Sequence, residues 1–243
     1  MGRGSIIAVI IILILMLSSL LSFEPSIQTV KAETYFSYDF NDGVADGWTK
    51  NLGNWQVIDG RYSISVGGVE NGITTVTNLS LADCTIETKL RFTDPVGFRA
   101  GIVFRYLGNE QYYAFELSNE YDCYVITKYT QGNSEYGTNI NWGTYPIQRD
   151  IDYILKVETQ GNRFRCFVNG QEVLNGTDNS YSSGKVGLRA RRADVAFDYF
   201  GISELENPSG EFNLFYGVLV AITIIVVVAI VFAVKRMKKK KQN

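Results

Sequence analysis

The stretch YILKVETQGNRFRCFVNGQEVL, residues 153–174, contains three short runs in which apolar and polar side chains alternate. A period of two is typical of β-strands that bury one face. The runs are separated by Gly161-Asn162 and by Asn169-Gly170. Because such pairs readily adopt the positive φ angles of two-residue hairpin turns, the stretch predicts three consecutive antiparallel strands.

The same pattern continues on both sides of this stretch. WQVIDGRYSISV (55–66) predicts a hairpin that turns at Asp59-Gly60, and CTIETKLRF (84–92) alternates strictly between apolar and polar residues. RAGIVFRY (99–106) and YYAFELS (112–118) form a further pair. About a dozen strands without a convincing soluble helix predict an all-β fold, a two-sheet antiparallel jelly-roll sandwich over residues 33–205.

Both ends of the chain carry apolar segments. Residues 6–21 are apolar or serine and follow Arg3, which predicts that residues 1–32 are a signal peptide or an uncleaved signal anchor. Residues 214–234 contain no charge, and six cations follow within the next seven residues. The sequence predicts a linker over 206–211, a transmembrane helix over 212–234 and a basic cytoplasmic tail over 235–243. We therefore expect a single-pass protein of the cell membrane whose sandwich lies outside.

Composition narrows the classes of function. The chain has no histidine, which excludes the commonest general base and zinc ligand. Residues 33–211 hold 24 acidic and 15 basic side chains, and this excess of negative charge disfavours nucleic acid as a partner. The odd set of Cys84, Cys123 and Cys166 allows at most one internal disulfide, and its pairing stays open. We expect most of the three to be small buried hydrophobic residues.

The order of these segments resembles a known superfamily. YDFNDGVADGWTK (38–50), the hairpin at Asp59-Gly60, CTIETKLRF, residues 152–173, GKVGLRA (184–190) and VAFDYFGIS (195–203) occur in the order found in the concanavalin A-like lectin/glucanase jelly roll. The chain is most similar to its laminin-G-like and 3-keto-disaccharide-hydrolase-type branches. This resemblance implies the fold, but the fold hosts enzymes, lectins and adhesion modules alike.

Asp198 is the first candidate site residue. Strand alternation places it on the same side as Ala196, Phe200 and Ile202, where a carboxylate needs a partner. The resemblance implies that this partner is a structural calcium ion. The alternative is a carboxylate satisfied by turn amides or by an arginine such as Arg61. The predicted calcium ligands are Asp198, Asn41 and Gly60, with Asp39 as a substitute.

A second candidate site lies on the concave sheet. If Ile102, Phe104 and Tyr106 face the core, Arg105 points outward and lies opposite Ala114. Residues 139–146 are expected to form a loop over this surface. A cation, an acid and aromatic rings are suited to sugars, although an ordinary cross-strand ion pair remains the alternative. The predicted ligand patch consists of Arg105, Tyr112, Glu116, Trp142 and Arg189.

Three functions remain in consideration. The favoured one is a membrane-anchored, extracellular carbohydrate-binding module whose partner is a cell-surface glycan. The second is a glycoside hydrolase-type enzyme acting on keto-disaccharides, although ELSNEYDCY (116–124) lacks the closing acid of the glucanase Glu-x-Asp-x-x-Glu motif. The third is an adhesion or scaffold module that binds protein.

Overall fold

The computed structural model describes residues 32–65, 71–95, 97–108 and 110–205, together with Arg236, but not the side chains of 134–136. The described residues 32–205 belong to one compact unit of the chain. Apart from Ala32 and Arg236, the predicted signal segment, linker, membrane helix and basic tail lie outside the described residues. Within the described part of the chain, no helix is long and apolar enough to cross a membrane.

Fifteen strands and no helix are described between residues 32 and 205, and every strand pairing is antiparallel. Their bounds are β1 Thr34–Tyr38, β2 Trp48–Leu52, β3 Gln56–Ile58, β4 Arg61–Ile64, β5 Asn71–Val76, β6 Cys84–Phe92, β7 Arg99–Gly108, β8 Gln111–Ser118, β9 Cys123–Thr130, β10 Asn133–Thr144, β11 Tyr153–Gln160, β12 Arg163–Val168, β13 Gln171–Thr177, β14 Lys185–Arg191 and β15 Val195–Ser203.

The strands form two sheets. The first has the order β13-β12-β11-β6-β15-β4-β3, with β1 paired to β15, and the second has the order β10-β9-β8-β7-β14-β5-β2. One core cluster contains buried residues of both sheets, for example Leu90 of β6 and Phe115 of β8. In β6, Cys84, Ile86 and Phe92 join this core as the alternation predicts. The all-β, two-sheet prediction is therefore confirmed.

The predicted hairpin turns are present. Asp59 and Gly60 have φ angles of 49° and 71°, and Ile58 pairs with Arg61 around them. Gly161 has a φ of 56° in the turn between β11 and β12. Because positive φ is accessible to few residue types, these short dipeptides determine where each hairpin reverses.

A bulge in β7 changes the predicted register. Val103 pairs with Ala114 and Phe104 with Tyr113, after which regular pairing is lost up to Gly108. Arg105 has a φ of 50° at this point. The prediction that Arg105 lies opposite Ala114 is therefore wrong. The prediction that Tyr106 faces the core is also wrong, because Tyr106 packs against a separate cluster on the other face of the second sheet.

A second bulge, in β15, falls at Asp198. Regular pairing with β6 is interrupted between Phe197 and Tyr199. Phe200 and Ile202 belong to the core, whereas Ala196 pairs with Arg91 on the outer face of the first sheet. The Asp198 carboxylate contacts Lys89 on that outer face. The prediction that Asp198 shares a side with Phe200 and Ile202 is wrong, because the bulge inverts the alternation.

Candidate functional site

One row of residues crosses the outer face of the second sheet, the face turned away from the core. Arg189 pairs with Ile73 of β5 and with Gly101 of β7. Glu116 pairs with that same Gly101 and with Val125 of β9. Directly paired residues share a face of the sheet. The row, called the Arg189 row below, consists of Ile73, Arg189, Gly101, Glu116, Val125 and Trp142, which pairs with Val125.

Arg189 and Glu116 form an ion pair across the strand that lies between them. The Arg189 guanidinium contacts the Glu116 carboxylate, and both side chains are 0% exposed. Their strands are separated by β7, so the backbones lie about 10 Å apart, twice the spacing of neighbouring strands. The residue between them is Gly101, where a Cβ would lie 2.9 Å from the Cα of Glu116. The absence of a side chain at Gly101 lets Arg189 reach Glu116.

The second Glu116 oxygen and the second terminal nitrogen of Arg189 also have partners. The Tyr129 hydroxyl donates to Glu116 Oε2 at 3.1 Å, and Arg189 Nη2 donates to Asn71 Oδ1 at 3.1 Å. The guanidinium lies 4.4 Å from the centre of the Tyr129 ring, which stacks on Tyr112 at 4.6 Å. Buried charges are tolerated when they are paired and hydrogen-bonded in this way.

Burial and neighbouring charges shift the pKa values of the ionisable groups in this cluster. Burial alone would lower the pKa of Arg189, but the charge and hydrogen bond of Glu116, together with Tyr129 and Tyr112, outweigh it and keep that pKa above its ordinary value. Burial raises the pKa of Tyr112 well above the usual range of a phenol, and it also raises the pKa of Tyr129. Both phenols are therefore neutral at physiological pH, and Tyr129 keeps the proton that it donates to Glu116.

Arg99 of β7 forms the accessible edge of the cluster. This half-buried side chain donates from Nη1 to Thr127 Oγ1 at 3.1 Å, and Thr127 in turn donates to the exposed Asn139 at 3.2 Å. Among the described residues, the buried Nε atoms of Arg99 and Arg189 have no hydrogen-bond acceptor. The accessible polar groups at this edge are therefore the half-buried Arg99 side chain and the exposed Asn139 amide.

Sequence reasoning missed several members of this cluster. The alternation in RAGIVFRY extends back to Arg99, which shares its parity with Gly101 and Val103. The alternation in CYVITKYT (123–130) likewise places one set of alternate residues outward. The signal was thus present in the alternation of β7 and β9, and the missed residues are Asn71, Arg99, Thr127, Tyr129 and Asn139.

Trp142 ends the Arg189 row at the sheet edge. It belongs to β10, so the prediction that residues 139–146 form a loop is wrong up to Thr144. Its side chain is 61% exposed, which leaves the indole available to a ligand. The structure therefore brings Tyr112, Glu116 and Arg189 into contact and places Trp142 further along the same row.

Arg105 lies apart from the other predicted patch residues. Only 2% of its side chain is exposed. Its guanidinium donates to three backbone carbonyl oxygens, those of Tyr181 at 2.9 Å, Ala82 at 3.0 Å and Gly161 at 2.6 Å. Arg105 thus joins three connecting segments from within, because the bulge in β7 turns its side chain away from the outer face.

The predicted calcium ligands do not converge on a common point of negative charge. Asn41 lies close to Gly60, as predicted, since a Cβ on Gly60 would lie 3.3 Å from Asn41 Oδ1. The Asp198 carboxylate, however, contacts Lys89 and lies 3.7 Å from Arg61. Within the described ranges, no group of three or more His, Cys, Asp or Glu could hold a metal ion. Calcium binding stays a prediction. The cations Lys89 and Arg61 beside Asp198 do not favour it, because they already compensate the charge of this carboxylate.

Comparison with known proteins agrees with this architecture. The model of the 3-keto-alpha-glucoside-1,2-lyase-like domain family matches residues 36–202. A levanase of Bacillus subtilis strain 168 is 28% identical over an alignment of 158 positions, and the match covers 62% of this chain. The match spans only 22% of that levanase.

Solved structures share the fold at low sequence identity. The carbohydrate binding module CBM66 from Bacillus subtilis superposes with a TM-score of 0.60 and 22% identity, covering 65% of this chain and 96% of that module. The catalytic domain of an endo-1,3-beta-glucanase (laminarinase) from Thermotoga petrophila RKU-1 gives a TM-score of 0.55 and 14% identity, covering 73% of this chain and 99% of that domain. These likenesses identify the sandwich as a concanavalin A-like jelly roll.

Proposed function

Because this chain belongs to the family of 3-keto-alpha-glucoside-1,2-lyase-like domains, we propose that its sandwich is an extracellular carbohydrate-binding module. The predicted C-terminal helix anchors it in the cell membrane, with the basic tail in the cytoplasm. The ligand is a cell-surface or environmental glycan, bound on the outer face of the second sheet.

The observation that carries this proposal is the Arg189 row itself. A fully buried ion pair and an exposed indole stand on one row of an outward-facing sheet surface. Aromatic rings stack on the apolar face of a sugar, and charged side chains hydrogen-bond its hydroxyl groups. We place the sugar ring on Trp142 and its hydroxyl groups against Arg99 and Asn139, with Thr127 holding Arg99, and with Glu116 and Arg189 holding the tyrosines in position.

The relatives support the same function by their names. A levanase, a carbohydrate binding module and a laminarinase are all proteins whose names refer to glycans. The negative charge of the sandwich suits neutral glycans better than phosphate-rich partners.

The test is binding by the full chain, purified in a detergent whose head group is not a sugar, to a glycan array that includes levan and laminarin. Trp142→Ala is expected to weaken binding about tenfold, equivalent to about 1.4 kcal/mol. Ile58→Ala removes a similarly exposed apolar side chain from the first sheet and serves as the matched control. Unchanged binding by Trp142→Ala and Arg99→Ala together would remove this surface from the proposal.

A second candidate function is the cleavage of a keto-sugar. The family description names a lyase, and a carboxylate, Glu116, accepts a hydrogen bond from a phenol, Tyr129. Proton transfer in a lyase reaction needs such groups. Turnover of 3-keto-disaccharides by the full chain, abolished by Glu116→Gln in protein whose tryptophan fluorescence shows that it is still folded, would favour this function over binding alone. If no glycan is retained and crosslinking on intact cells recovers a protein, the adhesion alternative is favoured instead.

The anchoring part of the proposal has its own test. The chain is expected to stay in the membrane fraction after an alkaline wash, and protease added to intact cells is expected to remove the sandwich. Release by the wash would contradict the membrane anchor without affecting the glycan site.

A further inference from the structure

A depression of about 230 Å³ lies on the outer face of the first sheet. It is therefore on the opposite side of the sandwich from the Arg189 row. Its lining comes from β1, β6, β11 and β15 and includes Thr85, Glu87, Lys156, Glu158, Tyr199 and Ser203. Neither the predicted ligand patch nor the predicted calcium ligands contribute to it.

The aromatic ring of Tyr199 lies against the sheet in this depression. A Cβ built on Gly201 would overlap the Tyr199 hydroxyl and would lie 2.8 Å from its ring carbon Cζ. Glycine at this position therefore gives the ring room to lie over the strand instead of standing away from it. The backbone of Tyr199 is fixed as well, since the Thr88 hydroxyl donates to its carbonyl oxygen at 2.5 Å. The result is an aromatic surface beside a polar wall.

The wall carries one carboxylate with which no described side chain forms a hydrogen bond or salt bridge. Glu158 accepts from Lys156 Nζ at 2.8 Å and from Arg165 Nη1 at 2.8 Å, so both of its oxygens are occupied. Glu87 lies between Gly201 and Lys156 in the sheet register. Among the described residues, no side chain forms a hydrogen bond or salt bridge with Glu87. Its carboxylate is thus available to hydroxyl or ammonium donors of a ligand.

We propose that this depression is a second saccharide site, which takes one sugar ring with its apolar face on Tyr199 and a donor group on Glu87. The hydroxyl groups of Thr85 and Ser203 supply further hydrogen bonds to the ring. Because Glu87 is an acceptor only, the site prefers neutral sugars and amino sugars to uronic acids. A flat ring beside hydrogen-bonding groups is the usual chemistry of sugar recognition.

A second site would change how the chain binds a polymer. Two sites on opposite faces cannot engage neighbouring units of one short oligosaccharide, but they can bind two glycan chains. Once one site has bound, the other is held close to the glycan at a high effective concentration, so two weak sites together bind more tightly than either one alone. This inference goes beyond the glycan site proposed above and does not depend on it.

The test uses the full chain in a sugar-free detergent and ligand-observed NMR with glucosamine, glucose and glucuronate as probes. Tyr199→Ala is expected to weaken glucosamine binding at least about fivefold, while Tyr199→Phe, which keeps the ring, stays within about twofold. Gly201→Ala displaces the ring without removing it and is expected to weaken binding as well. Glu87→Gln is expected to abolish the preference for glucosamine over glucose.

Separate outcomes distinguish the two sites. Trp142→Ala is expected to leave glucosamine binding unchanged, and Tyr199→Ala to leave binding at the Arg189 row unchanged. If glucosamine does not bind, if Tyr199→Ala and Gly201→Ala both bind it as the natural chain does, or if glucuronate binds as tightly as glucosamine, the second site is refuted. Loss of binding in Trp142→Ala alone would assign all saccharide binding to the outer face of the second sheet.

Discussion

Arg189 and Glu116 form a completely buried ion pair although β7 lies between their strands. Gly101 makes the contact possible by leaving a gap in the row between them. Because two charges have been removed from water, losing either one alone would leave the other buried without a counter-charge. The pair therefore links the binding face to folding.

Glu116→Gln is expected to destabilise the chain by about 3–5 kcal/mol, because it leaves the Arg189 cation buried without a counter-charge. The measurement is urea unfolding followed by tryptophan fluorescence, which reports on the fully buried Trp55. Replacing both partners, Glu116→Leu with Arg189→Met, is expected to lower stability less than the single change, because no lone charge remains.

The control for this prediction is the exposed Arg165–Glu172 pair, whose side chains are 54% and 35% accessible. Glu172→Gln is expected to change stability by less than about 1 kcal/mol, as is usual for surface pairs. Equal effects of Glu116→Gln and Glu172→Gln would contradict the view that the buried pair is essential to the sheet.

Arg105→Met is expected to reduce stability without affecting binding at the Arg189 row. The substitution removes the guanidinium donor from the carbonyl groups of Tyr181, which is buried, and of Ala82 and Gly161, and among the described residues only Ala82 keeps a second donor, the Thr159 hydroxyl. Each lost hydrogen bond to a charged group is worth about 1.5–3 kcal/mol, so a loss of several kcal/mol is expected.

The matched variant is Arg99→Ala, which is expected to weaken glycan binding while changing the unfolding midpoint little. The two arginines lie six residues apart on the same strand, so the comparison isolates the effect of side-chain direction. If a folded Arg105→Met protein bound glycan weakly and Arg99→Ala bound it normally, the binding role would belong to Arg105 and not to Arg99.

Sequence alternation was sufficient to predict which side chains face inward and which face outward in the regular parts of the strands. It predicted the inward set of β6, the outward placement of Tyr112 and Glu116, and the hairpin at Asp59-Gly60, because those features depend only on neighbours along the chain. It also identified Arg189 as outward-facing. Its contact with Glu116, however, depends on which strands are adjacent, and the sheet order brings β14 beside β7 from a distant part of the sequence.

The errors in side-chain direction came from bulges. At Arg105 and at Asp198 an irregular residue inverts the alternation, so that every later side chain in the strand changes face. Neither site carries a glycine or proline that would have indicated the irregularity. The bulge at Arg105 is stabilised by three carbonyl groups from distant segments, and these contacts cannot be seen in the local sequence.

Stability below pH 4 is expected to depend on Asp152. Hydrogen bonds from Arg91, with a further contribution from Arg61, lower the pKa of this carboxyl to about 2. Its ordinary value is about 3.9, so its stabilising contribution is fully present above that value and is lost as the pH falls towards 2. Asp152→Asn is expected to lower stability at pH 7 and to flatten the decline between pH 4 and pH 2.

The measurement for Asp152 is the urea midpoint at several pH values between 7 and 2. Asp46→Asn, a change at an exposed loop residue, is the control and is expected to follow the natural chain. A decline below pH 4 that is equally steep in Asp152→Asn would assign the acid sensitivity to other carboxylates.

The three cysteines are expected to react with a maleimide in two separate phases. Cys84 and Cys166 are buried in the core, and burial raises the pKa of Cys84 to about 11 and that of Cys166 well above its usual range. Both thiols are therefore protonated and inaccessible in the folded chain. Cys123 is half-buried, and burial also raises its pKa, so it is expected to react slowly but before the other two.

Mass spectrometry is expected to find one label under native conditions and three after unfolding, and Cys123→Ser is expected to remove the native label. Rapid native labelling of Cys166 would contradict the position of β12 in the first sheet, because its side chain faces the centre of the core there.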